Sequence, residues 1–135
     1  MAGINLFYNF TNPFEKQKEQ RQAQRDALIK KNYDEIYAHE LAHKRAGGAL
    51  AGSIVIEKNA DGIPVGGHVD IKMPALDKNN PQKTIDDANT VISSAMAPFD
   101  PSAQDFRVKA QAENIKMQAQ AIKDKNVGQK LDYNA

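Results

Sequence analysis

The sequence predicts a small α+β domain. Three observations carry that expectation: a run of strong helix formers closed by Gly47-Gly48, two β-branched extended segments on either side of a turn, and two later stretches with helical apolar spacing. With 135 residues the chain has room for one core. Hydrophobic residues at 41% and charged residues at 26% are ordinary globular values, whereas aromatics at 7% and the absence of Trp make that core modest.

The amino-terminal stretch holds Ile4, Leu6, Phe7, Tyr8 and Phe10 without a basic leader, a long apolar run or a small-residue cleavage site, so no signal peptide is expected. Asn12-Pro13-Phe14-Glu15 reads as a helix start. Asn caps free amides, Pro fits the first helical position, and Glu reaches back three residues on. From Glu15 to Lys31 the chain is Gln, Lys, Glu, Arg and Ala with little apolar surface, which predicts a solvated helix or a protein-partner arm. Asn32-Tyr33-Asp34-Glu35 either caps a second helix or lies within one helix running from Pro13 to Arg45. In both cases residues 34–46 are helical, and Gly47-Gly48 ends them.

Ser53-Ile54-Val55-Ile56-Glu57 and the run Ile63 to Ile71 flank Asn59-Ala60-Asp61-Gly62, the pattern of a β-hairpin. Two strands alone are marginal, so the hairpin must pack on helices. After a polar connection from Pro74 to Gln82, Asn80-Pro81 begins a helix over about Gln82 to Ala97, with Ile85, Ala88, Val91, Ile92 and Ala95 at core spacing. Asp100-Pro101 opens another through about Ala121, carrying Phe106, Val108, Ala112, Ile115 and Ala119. The organisation expected is an N-terminal segment and solvated helix at 1–31, a domain at 32–122 and a frayed tail at 123–135.

Charge and composition exclude several classes of function. A net charge of +1 from 18 basic and 17 acidic residues gives no field to hold nucleic acid. No stretch approaches the roughly 18 apolar residues of a membrane span, so a soluble, cytoplasmic protein is expected. With no cysteines, any metal must be held by His and carboxylate.

His39-Glu40-Leu41-Ala42-His43 matches H-E-x-x-H. Positions i and i+4 share a helix face, so His39 and His43 can hold one metal while Glu40 sits beside it to take a proton from water. The motif uses two of only three histidines in the chain, and zinc is the cofactor expected. Catalytic zinc takes three protein ligands, and the remaining histidine, His68 on the second strand, is the candidate third. Strand alternation turns Ile63, Val65, Val69 and Ile71 one way and His68 and Asp70 the other. Gly66-Gly67 permits a bulge, which would shift that alternation, or a close approach to the metal-bearing helix. If His68 lies elsewhere, Asp70 and Asp105 are the carboxylates to consider. Asp105 and Gln104 are candidates for hydrogen bonds to a ligating imidazole. Tyr37 and Tyr33, shortly before the motif, are candidates to steady an oxyanion, with core the favoured reading of Tyr37.

These residues resemble a known family. Ala38-His39-Glu40-Leu41-Ala42-His43-Lys44-Arg45-Ala46-Gly47-Gly48 is similar to the opening motif of the SprA-related family of bacterial metallopeptidases. Val65-Gly66-Gly67-His68-Val69 resembles a second motif, in which the family usually carries Glu where this chain has His68. Pro98-Phe99-Asp100-Pro101-Ser102-Ala103-Gln104-Asp105 looks like its closing Pro-Ser-Ala-Gln-Asp segment. The resemblance covers about residues 36 to 112 and implies a zinc metallopeptidase. Glu and His are both zinc ligands, so the exchange at His68 speaks for a ligand there. The expected function is zinc-dependent hydrolysis of peptide bonds in a peptide or protein substrate, with Glu40 as general base and a zinc-activated water as nucleophile. The alternative is a catalytically silent, zinc-stabilised module that holds a protein partner through the Glu15–Lys31 helix.

Overall fold

A computed structural model describes residues 12–134, so the apolar run from Ile4 to Phe10 lies outside the described residues. The order of elements is α1 (Pro13–Gly47), a 3₁₀ turn (Gly48–Leu50), β1 (Ala51–Lys58), β2 (Pro64–Ile71), α2 (Pro81–Ala95) and α3 (Ala103–Asn134). This is a small α+β domain, built, among the described residues, from three α-helices and one two-stranded antiparallel sheet.

Asn12 caps α1 by accepting from the Phe14 amide at 3.0 Å, with Pro13 at the first helical position. The helix then runs without a break to Gly47, so Asn32 is not a second cap. Its amide side chain instead donates to the Pro64 carbonyl at 3.0 Å, and Arg25 donates to the Asp61 carbonyl, so both tie the hairpin along the helix. Gly48 stops α1 at φ +53°, a backbone conformation that side chains disfavour, while its N–H bonds back to the Lys44 carbonyl.

Only part of α1 faces the protein. From Pro13 to Leu28 it is exposed, and then Ile29, Asn32, Ile36, Glu40, His43 and Gly47 turn inward. Steps of three and four residues keep them on one stripe. That stripe packs on the inner face of the hairpin, through Ile54 and Ile56 of β1 and Gly67, Val69 and Ile71 of β2.

The hairpin turn is organised by Asn59, whose side chain accepts from the amides of Asp61 and Ile63, both at 3.0 Å. Along β2 the expected alternation holds from Gly67 to Ile71, where Val69 and Ile71 are partly buried and His68 and Asp70 exposed. It fails nearer the turn. The register slips between Glu57 and Lys58, so Pro64 is buried and Val65 is 62% exposed. A bulge moves every later side chain to the other face, which is why Val65 departs from the face predicted for it.

Asn80 caps α2 by accepting from the Lys83 amide at 3.2 Å. Ile85, Ala88, Val91 and Ala95 of α2 are buried, as are Ala112 and Ala119 of α3, and small residues there let the two helices pack closely along their lengths. Phe106, expected with this set, is 53% exposed because it falls off the stripe that Val108, Ala112, Ile115 and Ala119 make. Two further differences concern α3. It starts at Ala103, capped by Ser102 rather than Asp100, and it continues to Asn134 where the sequence suggests a fraying tail after Lys123. Lys123 helps by donating to the Gln82 side chain at 2.6 Å, which links α3 to the start of α2.

Candidate metal centre

Two helices bring the site together. α1 supplies His39 and His43, one turn apart, and α3 supplies Asp105 from its first turn. The Nε2 atoms of the two histidines are 3.1 Å apart. Asp105 spans them, with Oδ2 at 3.3 Å from His39 Nε2 and Oδ1 at 3.2 Å from His43 Nε2.

The other ring nitrogens define how these groups are protonated. His43 Nδ1 lies 2.7 Å from the Ser94 carbonyl, which can only accept, so Nδ1 is the donor and, in the neutral ring that a metal takes, Nε2 turns its lone pair inward. His39 Nδ1 lies 3.2 Å from Asp100 Oδ1 and has the same polarity. Two imidazole lone pairs and a carboxylate thus face one point. Acceptors at such separations repel unless protons or a cation lie between them.

A metal fits this donor set. Ligands about 2.0–2.2 Å from a tetrahedral zinc lie about 3.3–3.6 Å from one another; here the two imidazole nitrogens are 3.1 Å apart, each has one Asp105 oxygen within 3.3 Å, and one ligand atom from each residue lies within 4.8 Å of the others. The set of two imidazoles and one carboxylate is one that zinc accepts. Each ring also has the outer partner that ligating histidines usually carry, a carboxylate for His39 and a backbone carbonyl for His43.

Asp105 is oriented by the end of its own helix. The Ser102 amide donates to Asp105 Oδ2 at 2.8 Å, and the Asp105 amide donates to Ser102 Oγ at 3.1 Å, a reciprocal capping box.

Glu40 lies beside the group without belonging to it. It is buried, and burial pushes its carboxyl above the ordinary value. His43 and His39 oppose that push, Asp105 adds to it, and His68 again opposes it. The room for Glu40 comes from Gly67. A Cβ at that position would lie 2.7 Å from Ile36 Cγ2, 2.9 Å from the Val55 carbonyl oxygen and 3.1 Å from Glu40 Cγ, so the expected close approach of strand and helix does occur there.

His68, expected as the third ligand, is not brought into that group. It lines the same cleft of about 470 Å³ as His39, Glu40 and His43, but the group whose ligand atoms converge within 4.8 Å is His39, His43 and Asp105. The His68 side chain is 47% exposed, with Nδ1 3.1 Å from Glu57 Oε1. The cause is strand alternation. Gly67 faces α1, so His68 faces the other way, opposite Val55 and diagonal to Glu57 on the outer side of the hairpin.

The remaining candidates sort on the same geometry. Asp105 sits among the converging atoms rather than behind an imidazole, while Gln104 and Asp70 line the cleft. Tyr37 is neither core nor cleft wall. It is 39% exposed and stacked on Tyr33 at 5.7 Å, one position off the inward stripe at Ile36 and Glu40. The outer partners Asp100 and Ser94 were missed. Ser102-x-x-Asp105 is a capping box legible in the sequence, and assigning the cap to Ser102 would have released Asp100 for another role.

Fold and site together define a small α+β domain with a two-histidine, one-aspartate centre on an H-E-x-x-H helix. The chain belongs to the SprA-related family, whose model matches residues 9–127. No curated protein and no solved structure matches it. Among the described residues, no helix is long and apolar enough to cross a membrane.

Proposed function

We propose that the chain is a zinc-dependent peptidase with Glu40 as its general base. One observation carries the reading: His39, His43 and Asp105 converge as three ligands while Glu40, next to His39, faces the same cleft without joining them. When bound, a zinc ion supplies a Lewis acid that polarises a carbonyl and brings the pKa of water to about 7.

The chain's own residues do the rest. His39, His43 and Asp105 hold the ion, and Asp100, the Ser94 carbonyl and the Ser102 amide fix their orientation. Asp105 gives the ligand set the negative charge that a three-histidine site lacks. Glu40 accepts a proton from the attacking water and passes it to the departing amine, a role that needs a carboxylate near the metal but outside its ligand set. Three protein ligands bordering a cleft favour catalysis over a closed structural site.

The test is Glu40→Gln. The variant is expected to bind zinc as the parent does, and to lose about 10²–10⁴-fold of the parent's cleavage of a broad peptide library. Loss of zinc in the variant would make Glu40 a ligand. If the fully zinc-loaded parent leaves the library uncut, the reading passes to the zinc-stabilised binding module.

A further inference from the structure

His39 borders two cavities. One is the cleft already described, and the other lies between α1 and the loop that joins α2 to α3. On the helix side it is lined by Glu35, Ala38, His39 and Ala42, whose steps of three and four residues make one stripe, next to the inward stripe that carries Glu40 and His43. Pro98, Phe99 and Asp100 line it from the loop. The space is about 290 Å³, at the low end of what holds a small molecule and enough for one long side chain.

Its chemistry is divided between an apolar floor and an acidic rim. Ala38 and Ala42 carry only methyl groups, so α1 leaves room where longer side chains would fill it, and the buried Pro98 continues the apolar surface. Phe99 is 104% exposed, so packing does not occupy its ring. Glu35 and Asp100 supply two carboxylates. Asp100 uses Oδ1 to hold His39 Nδ1 at 3.2 Å, and its side chain is otherwise open to solvent. Glu35 pairs loosely, with Lys31 at 4.0 Å and both side chains largely exposed, an arrangement a guest cation can replace at little cost. Among the described residues, no lysine or arginine lines either this cavity or the cleft.

We propose that this cavity is a specificity subsite for a basic side chain, lysine or arginine, of a peptide substrate. The methylene stem of such a side chain lies on Ala38, Ala42 and Pro98, while its cation meets Glu35 and Asp100 and the negative face of the Phe99 ring. An uncharged apolar side chain covers the floor and leaves both carboxylates unanswered, and an acidic one meets them as like charge. The inference rests on the peptidase reading for the source of that side chain. A peptide whose reacting carbonyl lies at the metal centre has the His39 ring between it and the cavity, which puts the basic residue at one fixed position close to the scissile bond.

Binding and cleavage are measured separately, so that the subsite and the peptidase reading can fail independently. Binding is followed by NMR on the full chain without metal, through the amide signals of Ala38, Ala42 and Phe99, as N-acetyl-arginine amide, the lysine counterpart or the uncharged norleucine counterpart is added. The basic probes are expected to bind about 3- to 30-fold more tightly than norleucine, the range that one exposed ion pair and one cation–π contact supply together. Glu35→Gln should narrow that preference about two- to fivefold, and Phe99→Ala should narrow it as well. A purely structural role for either residue would instead weaken all three probes alike. Shifts that are absent, equal for norleucine, or just as selective in both variants would overturn the subsite. In the zinc-loaded parent, cuts in the peptide library should fall at one constant spacing from a lysine or arginine. Cuts without that spacing would overturn the subsite and leave the peptidase reading intact, whereas selective binding with no cut would support the subsite and end the peptidase reading.

Discussion

The two halves of α1 are one unbroken helix with two different fates. From Pro13 to Leu28 every residue is exposed, and the local support is of the kind found between Gln22 and Asp26, a side-chain pair one turn apart. From Ile29 to Gly47 the same helix buries a stripe against the hairpin and α2, and that stripe carries Glu40 and His43. Helix propensity alone is enough for the first half. The second half needs its neighbours, because an imidazole becomes a metal ligand only when its other nitrogen, its partner ligand and its surroundings are fixed by other elements.

If that contrast is right, substitutions in the two halves differ sharply in effect. The largest is expected at His43→Ala, which removes an inward lone pair and leaves the Ser94 carbonyl without its partner. Outer partners of a metal typically change affinity about 10–100-fold, so a ligand itself should cost more than about 100-fold, read by zinc titration. The zinc-dependent gain in Tm should vanish with it, since the parent is stabilised by metal in excess of its Kd and a non-binding variant is not. A variant that still takes one zinc with the parent's affinity would remove His43 from the site.

Next in size is Gly67→Ala, on the hairpin that faces the second half of α1. The added methyl meets Ile36, the Val55 carbonyl and Glu40, and overpacking of that kind costs about 1–3 kcal/mol, measurable by urea unfolding of the metal-free protein. Because the crowding falls on Glu40, activity should drop further than zinc affinity does. Equal losses in both would mean that the strand moves as a body and takes the ligands with it.

The smallest effect is expected in the exposed half. Gln22→Ala removes the side-chain amide that donates to Asp26 one turn on, both residues exposed, and should change stability by less than about 0.5 kcal/mol with zinc binding unaltered. A larger loss would show that the exposed half supports the domain.

The elements were largely legible in the sequence because their signals are local. Asn12-Pro13, Gly47-Gly48, Asn59 and Asn80-Pro81 each act on backbone groups within a few residues, so a short window of sequence contains the whole cause. His39 and His43 belong with these, since one helical turn is enough to put them on one face. The sequence also contained the condition for Glu40 to be buried, a glycine at position 67 on the strand that lies over it.

What tertiary structure decided is which distant groups meet that face. His68 and Asp105 were both plausible partners by residue type. The choice between them depended on which strand residue packs on α1, Gly67 facing it and His68 facing away, and on where α3 begins, with Ser102 as its cap. On a strand one position reverses the direction in which a side chain points, so Gly67 and His68 have opposite fates. The residue types and the helical pair were therefore fixed by the chain's local chemistry. The third member of the centre was fixed by packing, because a metal-type site joins atoms whose separation in space no local rule determines.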